Sequence, residues 1–409
     1  MKMQAPPRRW LIYLAAAGPG LIAAAAGNDA GGIVTYSSAG AQFIYRTLFL
    51  MVLITVAYVI VQEMVARLAT HTGKGLAALI REEFDLRLTA FAIANVGLMV
   101  TEFGGIATSF ELFNVSRYIS VPIAAVAIWS LVLFGSYRYA ERIFLLLTVV
   151  FIAYPIAAVL AHPNWHEVAA NTVWPHFVAS KSFLLIAVAL IGTTITPYIQ
   201  LYEAGAVVDK GIKPEQYKFQ RVDAIMGAVL AAIVAMSIII ATGATIGGTG
   251  PLTSATTAAE GLKPVAGAFA TTLFGLGLLG ASALAAAVVP LSTSYAIAEA
   301  IGVERSVSSS FRQAPVFLGI FTFQILIGAA VVLVPGNLIT LILNTQVLEG
   351  VITPMTLILI LVLANRRSLL GSAANGPVAR WVGGLAIVAV AAVAAVYVVL
   401  TVLGWFGLV

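Results

Sequence analysis

The residues able to do chemistry are few and set in apolar surroundings, and Asp29 stands first among them. It sits in Gly27-Asn28-Asp29-Ala30-Gly31-Gly32, a polar, glycine-rich interruption of a long apolar run. Where such a run crosses a bilayer, a carboxylate near its middle costs ~2.5 to 3.5 kcal/mol on insertion scales, so it should face a cavity or a cation. The neighbouring glycines free backbone carbonyls, which join a carboxylate as oxygen ligands where irregular backbone lines a cavity. A carboxylate satisfied by helix-helix hydrogen bonds is the plainer alternative. A second interruption, Gly192-Thr193-Thr194-Ile195-Thr196-Pro197-Tyr198, lies far downstream. Pro197 removes a backbone donor and disfavours helix at Thr196, so the helix should open there and offer hydroxyls and carbonyls near Thr193 and Thr196. A simple kink is the alternative.

Other acids and amides form a second tier. Seven residues beyond Thr196, Glu203 returns to the same helix face ~10 Å further along. It reads either as a second acid on an exit path or as an interfacial residue beside Asp209 and Lys210. Glu102 and Glu111 are nine residues apart, on opposite faces of one helix, so both cannot line one pathway. Glu102 is the deeper. Asn344, Gln346 and Glu349 cluster before Pro354, where Gln346 offers an amide oxygen to a cation or an interhelical hydrogen bond. His162 and His166 invite a metal-capture reading, but Pro163 and Trp165 between them suggest irregular interfacial chain, as around His176. No nucleophile elbow, P-loop or HExxH sequence is present, so a membrane enzyme finds no support.

The elements that must position these residues follow from composition. Of 409 residues 61% are hydrophobic and only 10% charged, which describes an all-α integral membrane protein rather than a soluble domain. Apolar runs suggest eleven spans, at 10–42, 47–66, 89–114, 119–136, 142–161, 182–206, 222–246, 265–299, 313–335, 338–365 and 381–404. With a cytoplasmic N-terminus, all of the 22 Lys and Arg except Arg46, Arg117, Lys181 and Lys263 fall inside, and the C-terminus lies outside. The net charge of +5 therefore reports orientation, not a nucleic-acid partner. Lys2, Arg8 and Arg9 before an apolar run resemble a signal peptide, but Gly18-Pro19-Gly20 and Asp29 interrupt it. The absence of cysteine excludes disulfides and thiolate metal sites. The chain reads as one membrane domain, 1–409. Breaks at the first position of each five-span half suggest inverted repeats, 10–161 and 182–365, followed by an extra helix at 381–404.

Over nearly its whole length the chain resembles the NRAMP (natural resistance-associated macrophage protein) family of divalent-metal transporters. The resemblance rests on Gly18-Pro19-Gly20, on Asp29-Ala30-Gly31-Gly32 where the family has Asp-Pro-Gly-Asn, and on Thr72-Gly73-Lys74-Gly75-Leu76. Thr196-Pro197-Tyr198 stands where the family has Met-Pro-His, and Ala364-Asn365-Arg366-Arg367 follows the tenth span. It implies a LeuT-type fold with first and sixth helices unwound at mid-membrane around the metal. Asp29 then matches the metal-binding aspartate, Ala26 and Thr193 match carbonyl-lending positions, and Gln346 resembles the tenth-span glutamine. The departures are Gly32 for the ligand asparagine, Thr196 for the methionine, Gly105 for a third-span glutamate, and Tyr198 and Glu203 for two sixth-span histidines. This pattern is similar to the NRAMP-related magnesium transporters.

Losing one soft and one amide ligand leaves an acidic, hard-oxygen site. Mg²⁺ favours carboxylate plus retained water, and Mn²⁺ is also oxygen-tolerant. The expectation is a secondary carrier of Mg²⁺ and Mn²⁺ in a plasma membrane, such as a bacterial inner membrane, with weak or no proton coupling and no cofactor. Its alternatives are a proton-coupled Mn²⁺/Fe²⁺ transporter using Glu102, Glu203 or Asp223, and a non-transporting sensor or scaffold. An amino-acid carrier is disfavoured, because Asp29 would repel a substrate carboxylate.

Overall fold

Local capping and proline chemistry decide where the helices stop. The computed structural model describes residues 27–84, 89–134, 152–301, 303 and 311–406. Gly18-Pro19-Gly20, the site candidate Ala26 and the first part of the fifth expected span lie outside those residues. Helix α1 (Ala30–Phe43) begins with Asp29 as its N-cap, extended at φ −75° and ψ −171°, its Oδ1 accepting the Gly32 N–H at 2.8 Å. That bond satisfies one of the amides that every helix start leaves unpaired. Then follow α2 (Leu48–Thr72), α3 (Leu76–Phe84), α4 (Thr89–Glu111) and α5 (Arg117–Phe134). Gly73 ends α2 at φ 65°, a left-handed conformation open to glycine without Cβ strain, so Thr72-Gly73-Lys74-Gly75 is a helix stop.

The rest of the chain contributes α6 (Ala153–Leu160), α7 (Trp165–Val173), α8 (Lys181–Thr194), α9 (Pro197–Asp209), α10 (Tyr217–Ile246), α11 (Ala270–Ile301), α12 (Pro315–Val332), α13 (Leu338–Asn365) and α14 (Pro377–Trp405). The described elements are helices throughout, with no strand among them. Among the described residues, seven stretches are long and apolar enough to cross a membrane, and the helix within Arg117–Leu133 is a shorter apolar one. The span expected at 338–365 coincides with α13, whose N-cap Asn337 accepts the Thr340 N–H at 3.0 Å.

One expectation for the connections needs correction. The outer segment around His162 is not wholly irregular. Asn164 caps α7, which carries His166, while His162 precedes the helix at φ 49°, so the two do not share a helical face. The 247–264 connection likewise forms short helical turns at Ala255–Ala259 and Lys263–Ala266, the first capped by Ser254. A helix-start signal, Asn164 or Ser254, is present in both places, but the short helices are too brief to show as apolar periodicity.

Small residues bring the membrane helices together, as expected where lipid supplies no hydrophobic drive between them. Helix α8 crosses α13 at Gly192 and Gly350. A Cβ on Gly192 would overlap the Gln346 carbonyl and the Gly350 amide, and one on Gly350 would overlap the Val188 carbonyl. At the end counted as cytoplasmic, Arg67 of α2 reaches across to the segment after α13. It donates to Asn375 Oδ1 at 2.5 Å, to the Ala373 carbonyl at 3.0 Å and to Glu63 at 3.2 Å. Asn375 in turn donates to Asn365 Oδ1 at 2.8 Å and to the Ala364 carbonyl at 2.9 Å. Lys74 and Glu82 pair at 2.5 Å nearby but are exposed.

Burial sets the ranking of these contacts. Asn375→Ala leaves the Arg67 guanidinium short of its partner and should destabilise by ~1 to 3 kcal/mol, whereas Lys74→Ala should cost ~0 to 1 kcal/mol. Thermal unfolding of the detergent-purified variants checks this, and equal shifts would contradict it.

Candidate metal site

The two interruptions meet in the interior. Helix α8 ends at Thr194, Ile195 leaves helical geometry at φ −118° and ψ 53°, and Thr196 is extended at φ −66° and ψ 133° before Pro197 starts α9. The Tyr36 hydroxyl of α1 and the Thr194 hydroxyl of α8 share a hydrogen bond at 3.0 Å, which ties the first break to the second. Thr196 Oγ1 donates to the Thr193 carbonyl at 3.1 Å, so these two candidate ligands bond to each other, each keeping acceptor capacity. Asp29, Thr193, Thr196 and Tyr198 are fully buried. With Oδ1 held by Gly32, Asp29 Oδ2 meets no protein donor.

Gly32 stands where a side chain would enter this space. A Cβ built there lies 3.3 Å from the Gly27 carbonyl, 3.4 Å from Thr193 Oγ1 and 3.1 Å from the Tyr36 ring. Tyr36 thus occupies part of the room that a longer side chain at position 32 would need.

Helices α4 and α13 complete the surroundings. Gly105 is wedged against Ala30 and Ser282, where a Cβ would collide with both. One turn earlier Glu102, fully buried, interacts with Asp29 and the Ala30 amide, yet neither of its oxygens reaches hydrogen-bond geometry. From α13, the Gln346 amide lies against Gly31, its Nε2 donating to Thr101 Oγ1 at 3.3 Å and its Oε1 without a partner. The polar cluster expected before Pro354 divides. Gln346 and Glu349 are buried, whereas Asn344 is exposed, because two residues turn a helix by about 200°. Thr353, one turn beyond Glu349, donates to the Glu349 carbonyl at 2.8 Å with the Ile195 carbonyl as a second, longer acceptor at 3.3 Å, and Ser292 of α11 donates to the Tyr198 carbonyl at 3.3 Å.

The remaining candidates fall into two other places. Glu203 is not interfacial; it is fully buried on α9, interacting with Gln62 of α2 and with Gln220 and Asp223 of α10. Gln220 Nε2 donates to Asp223 at 3.4 Å. The side chains of Gln62, Gln200 and Tyr58 are buried in this region of α2 and α9 and reach no hydrogen-bond partner. Tyr58 joins it to the site, its hydroxyl 4.0 Å from where a Cβ on Gly27 would be. Glu111 is not brought to the site: it is exposed at the far end of α4 and paired with Arg117 at 2.7 Å. Both line a separate cavity of about 260 Å³ with Thr108, Ser254 and Asn337.

Residues 20–401 match the family described as natural resistance-associated macrophage protein-like. The chain belongs to the NRAMP family. It is accordingly a membrane transporter and not an enzyme. Among NRAMP relatives, the chain is 27% identical over 404 residues to the divalent metal cation transporter MntH of Aeromonas hydrophila, covering 93% of this chain and 94% of that one. It is 25% identical to MntH of Granulibacter bethesdensis, covering 93% and 87%. Among solved structures, the manganese transporter of Eremococcus coleocola superimposes with a TM-score of 0.75 at 20% identity, covering all of this chain and 90% of that one. MhsT in complex with L-phenylalanine follows with a TM-score of 0.60 at 15% identity, covering 94% and 97%. The fold is therefore the LeuT type, shared with the manganese transporter structure and, more distantly, with MhsT.

Tyr36, Tyr58, Thr353 and Ser282 were not singled out in the sequence, and Glu349 was noted only as part of a polar cluster. The available signal was rotational: Gln346, Glu349 and Thr353 share one helical face by their i, i+3, i+7 spacing.

Two glycines of this NRAMP chain should respond differently to added atoms. Gly105→Glu, which restores the family-like acid, meets Ala30 and Ser282 and should destabilise by ~1 to 3 kcal/mol or more. Gly32→Ala needs its neighbours to yield by a few tenths of an ångström and should cost ~1 kcal/mol or less. Melting temperatures of the purified variants check the order, which a larger loss in Gly32→Ala would reverse.

Proposed function

We propose that this chain carries divalent metal ions into the cell by alternating access, with Mg²⁺ as preferred cargo, Mn²⁺ as a second, and weak or no proton coupling. The donor set carries the reading. Asp29, Glu102, Gln346, Thr193 and Thr196 offer only oxygen to a cation, and the methionine and asparagine of the family are replaced by Thr196 and Gly32. Hard oxygen ligands suit Mg²⁺ and Mn²⁺ and give softer transition metals no advantage. Among the described residues no three His, Cys, Asp or Glu side chains converge into a metal-holding group. Such a site suits an ion that keeps part of its water, as Mg²⁺ does because it dehydrates reluctantly.

Each chain group has a role in this reading. Asp29 Oδ2 supplies the charged contact, and Gly32 orients the carboxylate through Oδ1. The C-terminal end of α8 presents carbonyls and the negative end of a helix dipole, which favour a cation. Gln346 Oε1 adds a neutral ligand or takes a bound water. The buried Gln62, Gln220, Asp223 and Glu203 group serves as the polar route between the site and the cytoplasm, and Tyr198 separates the two.

A second reading, proton-coupled transport of Mn²⁺ or Fe²⁺, is favoured by the contact of Glu102 with Asp29, which places a second carboxyl ready to take up a proton. The relatives named for divalent metals and manganese agree with it equally. A non-transporting sensor has no such observation behind it.

Proteoliposome uptake separates these readings. A Mg²⁺ gradient should drive uptake without stoichiometric acidification of the lumen, excess Mg²⁺ should inhibit Mn²⁺ uptake, and Asp29→Ala should reduce transport by about a hundredfold, as loss of ~3 kcal/mol of cation attraction would. Stoichiometric acidification would support the proton-coupled reading, and indifference of Mn²⁺ uptake to Mg²⁺ would remove the magnesium preference.

The proposed orientation, N-terminus inside and C-terminus outside, has its own check, since the chain has no cysteine. In intact cells an impermeant maleimide should label Ser180→Cys and should reach Ser372→Cys only after permeabilisation. The reverse pattern would invert the topology.

A further inference from the structure

Glu349 has no place in the ligand set above, yet its surroundings are those of a ligand. It lies on α13 between Gln346, three residues before it, and Thr353, four residues after. The Gln346 amide rests against Gly31 of the first break, and the Thr353 hydroxyl donates to the Ile195 carbonyl of the second. The helix face carrying Glu349 therefore bridges the two unwound segments. Its neighbour Gly350 marks the close crossing with α8, which fixes the height of this face against the break.

The carboxyl group is fully buried, and neither oxygen meets a hydrogen-bond donor. A buried carboxylate held for structure alone is normally paired or hydrogen-bonded, because its desolvation is otherwise uncompensated. Asp29 Oδ2 and Gln346 Oε1 are in the same condition beside it, and the Glu349 carboxylate interacts with Asp29 and with Tyr198. Four unsatisfied acceptor oxygens and, among the described residues, no basic side chain on these faces describe the inverse of a cation.

We propose that Glu349 is a further acidic contact for the transported divalent cation, acting from α13 alongside Asp29. This deepens the metal-carrier reading and rests on it. Contact through retained water is sufficient, since the field of a buried carboxylate acts across one water layer at reduced dielectric.

The test is calorimetric titration of the detergent-purified full-length chain with MgCl₂ and with MnCl₂, on wild type, Glu349→Gln, Glu349→Ala and Asp29→Ala, alongside melting temperatures without metal. Glu349→Gln keeps the shape and removes the charge, and should weaken the metal that wild type binds best by about tenfold or more. Its metal-free melting temperature should not fall. Unchanged affinity in a folded Glu349→Gln or Glu349→Ala chain overturns the proposal, and a lowered melting temperature with unchanged affinity would assign Glu349 a structural role instead. If wild type favours Mn²⁺ over Mg²⁺, the magnesium reading fails while Glu349 is judged on Mn²⁺. If wild type binds neither, both fail.

Discussion

Buried carboxyl groups whose oxygens lack hydrogen-bond partners are the constraint on which this structure turns. Asp29 has one oxygen committed to the start of its own helix and the other bound to nothing. Glu102 is buried beside it without a well-formed partner. In a medium that screens poorly, such groups are tolerated where a cation, water or another polar group answers them. The helix interruptions, the glycine crossings and the amide of Gln346 all serve to assemble that arrangement at one depth.

The two breaks contribute in opposite senses. The first presents the start of a helix, whose positive end is answered by the Asp29 cap. The second presents the end of a helix, whose negative end adds to the attraction for a cation. Tyr36 and Thr194 hold the two together, while the Thr353 hydroxyl lies within reach of the Ile195 carbonyl that the opening exposes. The unwound backbone is thus largely supported by protein hydroxyls, as irregular backbone within a membrane must be.

Local chemistry explains what was legible in the sequence. The stop at Ile195 and Thr196 followed from Pro197, and the interruption at Asp29 from a carboxylate set among glycines. The all-helical class followed from composition, and the boundaries of α13 from a continuous apolar run. What could not be read depended on partners distant in sequence. The burial of Glu203 is decided by Gln62, Gln220 and Asp223 from two other helices, so proximity to Asp209 and Lys210 misled. Asn344 was grouped with Gln346 by linear distance, although helical rotation places it outside. The lack of room at Gly105 depends on Ser282, far along the chain.

The joint between α8 and α9 also has a mechanical meaning. The backbone ladder of α8 ends with the Ile195 amide on the Ile191 carbonyl at 3.0 Å, and the next bond runs from the Ile199 amide to the Thr196 carbonyl at 3.1 Å. Between them lie Ile195 and Thr196, in two different non-helical conformations, and a proline with no amide hydrogen to contribute. Bending or twisting there breaks no rung of either half. No backbone hydrogen bond therefore ties α9 to α8 across the joint, and the place where the chain can hinge at least cost lies between Thr193 and Pro197, beside the candidate ligands.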